Sequence, residues 1–179
     1  MRLAETPGGP GRMRVWVEAA RAGDREAFAV LYEEMAPVVH GLLLSRVRTF
    51  DVSDLVQEVF AVALQRLPAL QDSAAFAGWL CAIARNAATD HLRKQAPVAP
   101  SPRTPYALAS HVADARRVLE AIRTLPEAYR EPLVLRLVEG LTGPEIAAKT
   151  GLTPGSVRVN LSRGMKRLRE TLGVTNDTR

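Results

Sequence analysis

Apolar side chains recur at helical spacing through most of the chain. The helical pattern starts near Val15. Phe28, Leu31, Tyr32, Met35, Val39, Leu42 and Leu43 then fall three and four residues apart, which puts them on one side of a helix. Pro37 lies inside that run, so the spacing predicts two helices or a kink there. Asp51 to Asp54 reads as a turn with capping residues. A second amphipathic helix follows, with Leu55, Val56, Val59, Phe60, Ala63, Leu64 and Leu67 on one side, and Pro68 ends it. A third runs from about Ala74 to Lys94 on an apolar stripe of Phe76, Trp79, Leu80, Ile83, Ala84 and Ala87. No stretch alternates convincingly as a strand does.

The pattern breaks at Gln95. From there to Pro105 the chain carries Pro97, Pro100, Pro102 and Pro105 and almost nothing to bury, which is the composition of a partly extended linker. Helical spacing resumes near Val112 with Ala115, Val118, Leu119 and Ile122. Thr124-Leu125-Pro126-Glu127 reads as the opening of the next helix, with Thr124 as cap and Glu127 reaching back to it. Pro132 should bend that helix and Gly140 should end it. The expected fold is all-α: two small helical domains joined by a flexible proline-rich linker. The expected bounds are a disordered tail over 1–13, a first domain over 14–95, a linker over 96–111, a second domain over 112–173 and a tail over 174–179. Met1 and Met13 are both candidate starts.

The sharpest local signal lies between Leu141 and Leu168. Thr142 and Glu145 make a capping box ahead of a short helix, Pro144 to Thr150. Gly151 stands where a tight turn between helices needs positive φ. Thr153 and Pro154 restart a helix as cap and first-turn residue. Ile146, Ala147, Leu152, Val157 and Leu161 are spaced to form the small core between the two helices. That combination is a helix-turn-helix, whose second helix enters the major groove of DNA. The exposed face of this second helix carries Ser156, Arg158, Val159, Asn160, Ser162 and Arg163, with Lys166, Arg167 and Arg169 further along. Arginine pairs with guanine and asparagine with adenine by two hydrogen bonds each, and the other polar groups suit phosphates.

Charge sharpens this picture. The formal net charge is +5. Residues 1–95 hold 11 basic and 11 acidic side chains, whereas 96–179 hold 13 and 8, so the whole excess sits in the C-terminal half. A basic cluster confined to one helix is the footprint of phosphate contacts. An apolar fraction of 47% is enough for a folded core. The longest apolar run falls far short of a membrane span and no signal peptide is visible, so the expectation is a cytoplasmic protein with no membrane insertion. One cysteine, Cys81, excludes a disulfide scaffold, and it falls on a buried helix where packing explains it better than reactivity. His40, His91 and His111 lack zinc-ligand spacing. There is neither a phosphate-binding glycine loop nor a nucleophile elbow, so an enzyme is not expected, and no cofactor.

Two features of the N-terminal half are less specific. Asp54, Gln57 and Glu58 share one polar helix face, an arrangement that by itself can serve only the helix dipole. Asn86 sits in a helix although asparagine is a poor helix former, either as a local hydrogen-bonder or as a ligand contact.

The order of the segments DREAFAVLYEEMAP, DLVQEVFAVALQRLPAL, FAGWLCAIARNAATDHLRK and LPEAYREPLVLRLVEGLTGPEIAAKTGLTPGSVRVNLSRGMKRLRE, across a linker, resembles the bacterial extracytoplasmic-function (ECF, group IV) sigma factors of the sigma-70 family. The resemblance spans about Val15 to Arg169. It implies a sigma-2-type and a sigma-4-type domain, with core RNA polymerase (its β′ clamp helices and β subunit), promoter DNA and an anti-sigma factor as partners. It implies that Asp54, Gln57 and Glu58 dock on the clamp helices, and that Asn86 reads a base flipped from the −10 element. Arg85, Arg93 and Lys94 then fall where −10 backbone contacts are expected. Arg158, Val159, Asn160 and Arg163, with Ser156, Ser162, Lys166 and Arg167, fall on the −35 side. Val159 and Asn160 depart from the commoner pattern of a small polar and a basic residue, which bears on base preference rather than on binding mode. The competing class is a stand-alone helix-turn-helix regulator. It predicts a palindromic site and leaves the Asp54, Gln57 and Glu58 face without a role.

Overall fold

A computed structural model of the chain describes residues 10–94 and 110–174, and it is all-helical over them. The N-terminal bundle comprises α1 (Pro10–Arg21), α2 (Arg25–Leu44), α3 (Val52–Arg66) and α4 (Phe76–Lys94). The C-terminal bundle comprises α5 (Ser110–Thr124), α6 (Glu127–Leu137), α7 (Gly143–Thr150) and α8 (Pro154–Leu172). The expected linker falls mostly on residues 95–109 and the expected tails on 1–9 and 175–179, all outside the described residues. Two bounds shift. Pro10 to Met13, expected in the tail, already form the first turn of α1, where proline's fixed φ suits the helix start. Ser110 and His111, expected in the linker, open α5.

Helix α2 is the centre of the N-terminal bundle. Asp24 caps it, its carboxylate accepting from the N–H groups of Glu26 and Ala27 at 2.9 and 3.1 Å. Leu31, Met35, Val38, Val39, Leu42 and Leu43 are buried along it, and α1, α3 and α4 pack round it. By length and composition alone α2 would pass for a membrane span, yet here it is the core helix of a bundle. It runs as one helix through Pro37 rather than as two. Pro37 is exposed, so the carbonyl of Glu33 that loses its donor lies where water can replace it. Helix α6 likewise continues through Pro132, which is buried. Packing on the flanking Leu133, Val134 and Leu135 outweighs the lost backbone bond.

One predicted cap does not form. Thr124 closes α5 instead of opening α6, its hydroxyl donating to the carbonyl of Ala121 at 2.7 Å. Pro126 takes the cap position of α6 with no side-chain bond, and Glu127 pairs with Arg46. The turn before α3 also differs, because Asp51 makes no side-chain cap and instead faces His91 at 3.2 Å. Leu64, expected on the apolar side of α3, is half-exposed.

The two bundles are packed on each other, α6 and α7 against α2, and α7 against α4. Their buried apolar residues form one continuous cluster. Within the C-terminal bundle, α8 lies on α6 at Gly164, where an added Cβ would come within 3.0 Å of Leu133 Cδ1. Leu133 is fully buried at this crossing. Leu133→Ala should therefore cost about 2–5 kcal/mol in chemical denaturation, and an unchanged midpoint would mean that α6 and α8 do not share this core.

Candidate nucleic-acid interface

The helix-turn-helix forms as its residues dictate. Thr142 and Glu145 make the reciprocal box: Glu145 accepts from the Thr142 N–H at 2.7 Å, and Thr142 Oγ1 accepts from the Glu145 N–H at 3.4 Å. These hydrogen bonds hold the Glu145 carboxyl below the usual carboxylate range. Gly151 makes the turn at φ 76°, the left-handed region that a side chain would disfavour. Thr153 caps α8 by accepting from the Ser156 N–H at 3.1 Å. Ile146, Ala147 and Val157 are buried between α7 and α8, with Leu152 and Leu161 half-buried beside them.

The polar face of α8 then points to solvent. Arg158, Val159, Ser162, Arg163, Lys166 and Arg167 are exposed, and Asn160 is half-buried. Two members of the expected set have local duties. Ser156 completes the cap, its hydroxyl oxygen accepting from Thr153 at 2.8 Å, and Arg167 lies over the Tyr129 ring with its guanidinium carbon 6.0 Å from the centroid. The others make no side-chain hydrogen bond or ion pair that would withdraw them from this face among the described residues. No acidic side chain on α8 precedes Glu170.

In the N-terminal bundle, Asp54, Gln57 and Glu58 are exposed together on α3. Their i, i+3, i+4 spacing opposes the buried stripe of Leu55, Val56, Val59 and Phe60. Asn86, Arg93 and Lys94 are exposed on α4, with Arg93 paired to Asp90 at 3.0 Å. Arg85 is different. Its Nη2 and Nε donate to the two carboxylate oxygens of Glu131 on α6 at 2.7 and 3.1 Å. Glu131 is 6% exposed, so this is a two-bond ion pair between the bundles. Hydrogen bonding to Glu131 raises the Arg85 pKa against the opposing effect of burial.

Cys81 is fully buried beneath this pair, and its thiol donates to the carbonyl of Lys149 at 3.2 Å. Burial pushes its pKa up to about 12, so it is packed rather than nucleophilic. No cluster of metal-ligating side chains occurs among the described residues.

Sequence reasoning missed the groups that join the bundles. His40 Nδ1 lies 2.7 Å from Glu139 Oε1. Lys149 Nζ donates to the Glu34 carbonyl at 2.8 Å. The Arg123 guanidinium donates to the carbonyls of Leu44, the last residue of α2, and of Val47 in the turn beyond it, at 2.9 and 2.6 Å. An acid inside the apolar run Glu131-Pro132-Leu133-Val134-Leu135 was the available hint, but its partner lies 46 residues away.

Residues 31–98 match sigma-70 region 2, and residues 115–168 match sigma-70 region 4. The chain is 36% identical over 166 residues to RNA polymerase sigma factor CarQ of Myxococcus xanthus, covering 88% of this chain and 95% of that one. It is 31% identical to ECF RNA polymerase sigma factor SigD of Mycobacterium tuberculosis (strain H37Rv), covering 93% and 86%. The fold is similar to that of CnrH, solved in complex with the cytosolic domain of CnrY, with a TM-score of 0.65 and 24% identity over 92% of this chain and 99% of that one. The helical bundles and their helix-turn-helix thus define a promoter-reading initiation factor. The chain belongs to the ECF sigma factors of the sigma-70 family: an alternative sigma factor that binds core RNA polymerase, recognises −10 and −35 promoter elements and directs transcription initiation.

Two outcomes follow from this geometry. The hydrogen bond to Glu139 raises the His40 pKa, against desolvation. That pairing is therefore fully present below the ordinary histidine value and is lost as pH rises through the raised one. NMR titration should show His40 falling back toward its ordinary pKa in Glu139→Gln; no change would mean the pair does not form in solution. On α8, each phosphate contact removed should lower the log–log salt slope of DNA binding by about 0.9. Lys166→Ala with an unaltered slope would exclude Lys166 as such a contact.

Proposed function

We propose that Asp54, Gln57 and Glu58 are the docking face for the β′ clamp helices of core polymerase. The observation that carries this is their joint exposure on a helix whose opposite side is buried in the bundle. The N-terminal bundle acts as the sigma-2-type module and the C-terminal bundle as the sigma-4-type module, with the residues between them as their tether. Asn86 offers a donor and an acceptor to one extruded base of the −10 element, and Arg93 and Lys94 hold the adjacent backbone. Arg85 joins them once released from Glu131. Arg158, Val159, Asn160 and Arg163 face the −35 element in the major groove, where Val159 suits a thymine methyl. Ser162, Lys166 and Arg167 serve phosphates, and Ser156 supports the helix start.

The chain acts in the cytoplasm and carries no catalytic chemistry of its own; bond formation belongs to the polymerase. Like CnrH, which is solved with the cytosolic domain of CnrY, it is held by an anti-sigma partner. Two weak DNA modules on one tether gain by effective concentration once a scaffold holds both, which explains why neither needs to bind tightly alone.

The test is charge reversal at Glu58. Glu58→Lys should reduce co-purification with core polymerase while helical content stays unchanged, since the side chain is exposed. Undiminished binding would remove this face from the polymerase interface.

A further inference from the structure

One pair across the packed bundles includes a side chain whose charge changes near neutral pH. We propose that His40 and Glu139 form a proton-controlled clasp, which holds the C-terminal bundle against α2 in mildly acidic conditions and slackens as pH rises through neutrality. This rests on the packing of the two bundles and is independent of the sigma-factor reading.

The backbone builds the pair. His40 lies on α2 beside Gly41. Glu139 follows the end of α6, where Gly140 turns the chain at φ 70° and the Leu141 N–H donates to the Leu135 carbonyl at 3.0 Å. A residue without a side chain at position 41 leaves room for that turn. A Cβ on Gly41 would come 2.7 Å from Leu135 Cδ2 and 3.0 Å from Glu139 Cγ. The Glu139 carboxylate thereby lies against α2, with Oε1 2.7 Å from His40 Nδ1. The Glu139 side chain is 13% exposed and that of His40 45%. The acid is the shielded partner and the imidazole the one that water reaches, which suits a group that exchanges protons with solvent.

Protonation sets the strength of the pair. The imidazolium gives Glu139 a hydrogen bond and a counter-charge together. Neutral imidazole still donates from Nδ1 in one tautomer, but a largely buried carboxylate then faces an uncharged ring. The proton is therefore held more tightly with the bundles packed than with them apart. Hydrogen bonding to Glu139 accordingly raises the His40 pKa, against desolvation. By linkage, this contribution to packing is fully present below the ordinary histidine value of about 6.5 and is lost as pH rises through the raised one.

The other charges around α2 have partners of their own. Helix α7 brings Lys149 to Glu34, α4 brings Arg85 to Glu131, and α5 brings Arg123 to the carbonyls of Leu44 and Val47. Arg46, just past α2, meets Glu127. On α1 and α3, Glu18 is held by Arg14 and Ser73, and Asp54 and Glu58 are exposed. Glu139 is the charge that acts on His40, by hydrogen bond and through space. Histidine is the side-chain type that ordinarily changes charge between about pH 5 and 8, so the variable part of the hold falls to this pair. His91 also meets an acid, Asp51 at 3.2 Å, but both belong to the N-terminal bundle.

The experiment uses the free full chain with a fluorescent donor and acceptor at Ala29→Cys and Thr171→Cys, exposed sites in different bundles, while Cys81 is buried. Energy transfer is read from about pH 6 to 8, in water and in mild urea, and circular dichroism checks that the helices stay formed. We expect the ratio of packed to separated chains to fall several-fold across that range in the wild type. His40→Gln keeps a neutral donor and Glu139→Gln removes the carboxylate. Each should hold the ratio constant, near the wild-type value at about pH 8. If one variant fails to fold, the other decides. A ratio that stays constant in the wild type overturns the clasp, and so does low transfer at every pH. A fall of equal size in a folded variant overturns it too, because another group then titrates. None of these outcomes touches the sigma-factor reading, which transcription with core polymerase tests separately.

Discussion

Helix α2 must satisfy two neighbours at once, and most of the structure follows from that constraint. Leu31, Met35, Val38 and Leu42 make it the core of the N-terminal bundle, while Gly41 admits α6 of the C-terminal bundle. A helix packed on several sides must be apolar nearly all round, which is why α2 has the length and composition of a membrane span without being lipid-facing here. The carbonyls of Leu44 at its end and of Val47 in the turn beyond then point into an interface instead of water. Arg123 from α5 meets them, and the cost of its own burial shows as a lowered pKa.

The same constraint sorts the charges. Acidic and amide groups on α3 and basic groups on α8 stay in solvent, where long-range attraction works and individual pairs matter little. The pairs of Arg85 with Glu131 and of Lys149 with Glu34 between the bundles are partly or wholly buried, where loss of one partner matters much more. Arg85 stands at the boundary, since its helix faces DNA in the proposed complex while its guanidinium is held by Glu131.

Local features were legible in the sequence and distant ones were not. The capping box at Thr142 and Glu145, the Gly151 turn and the Thr153 cap form as read, because each depends on residues within a few positions. The stripes of α3 and α4 hold for the same reason, Leu64 excepted. The box expected at Thr124 fails because tertiary neighbours compete for it: Thr124 turns back into α5 and Glu127 meets Arg46 from the other bundle. Pro37 does not divide its helix in two and Pro132 lies within a continuous helix, because burial of their neighbours carries both helices on. The pairing of Arg85 with Glu131 and the approach of Leu135 to Gly41 join residues 46 and more positions apart, beyond what any periodicity reports. The chain reads as two helical modules joined by a proline-rich segment, and the described residues of those modules pack on each other.

Reconstituted transcription tests the central claim most directly. The purified chain and core polymerase would be combined on genomic fragments and the 5′ ends of the transcripts mapped. The account predicts discrete start sites that require both proteins, each preceded by two short elements at constant separation. It is contradicted if no start site depends on the chain, and most sharply if the chain alone then binds a palindromic duplex site as a stand-alone regulator does.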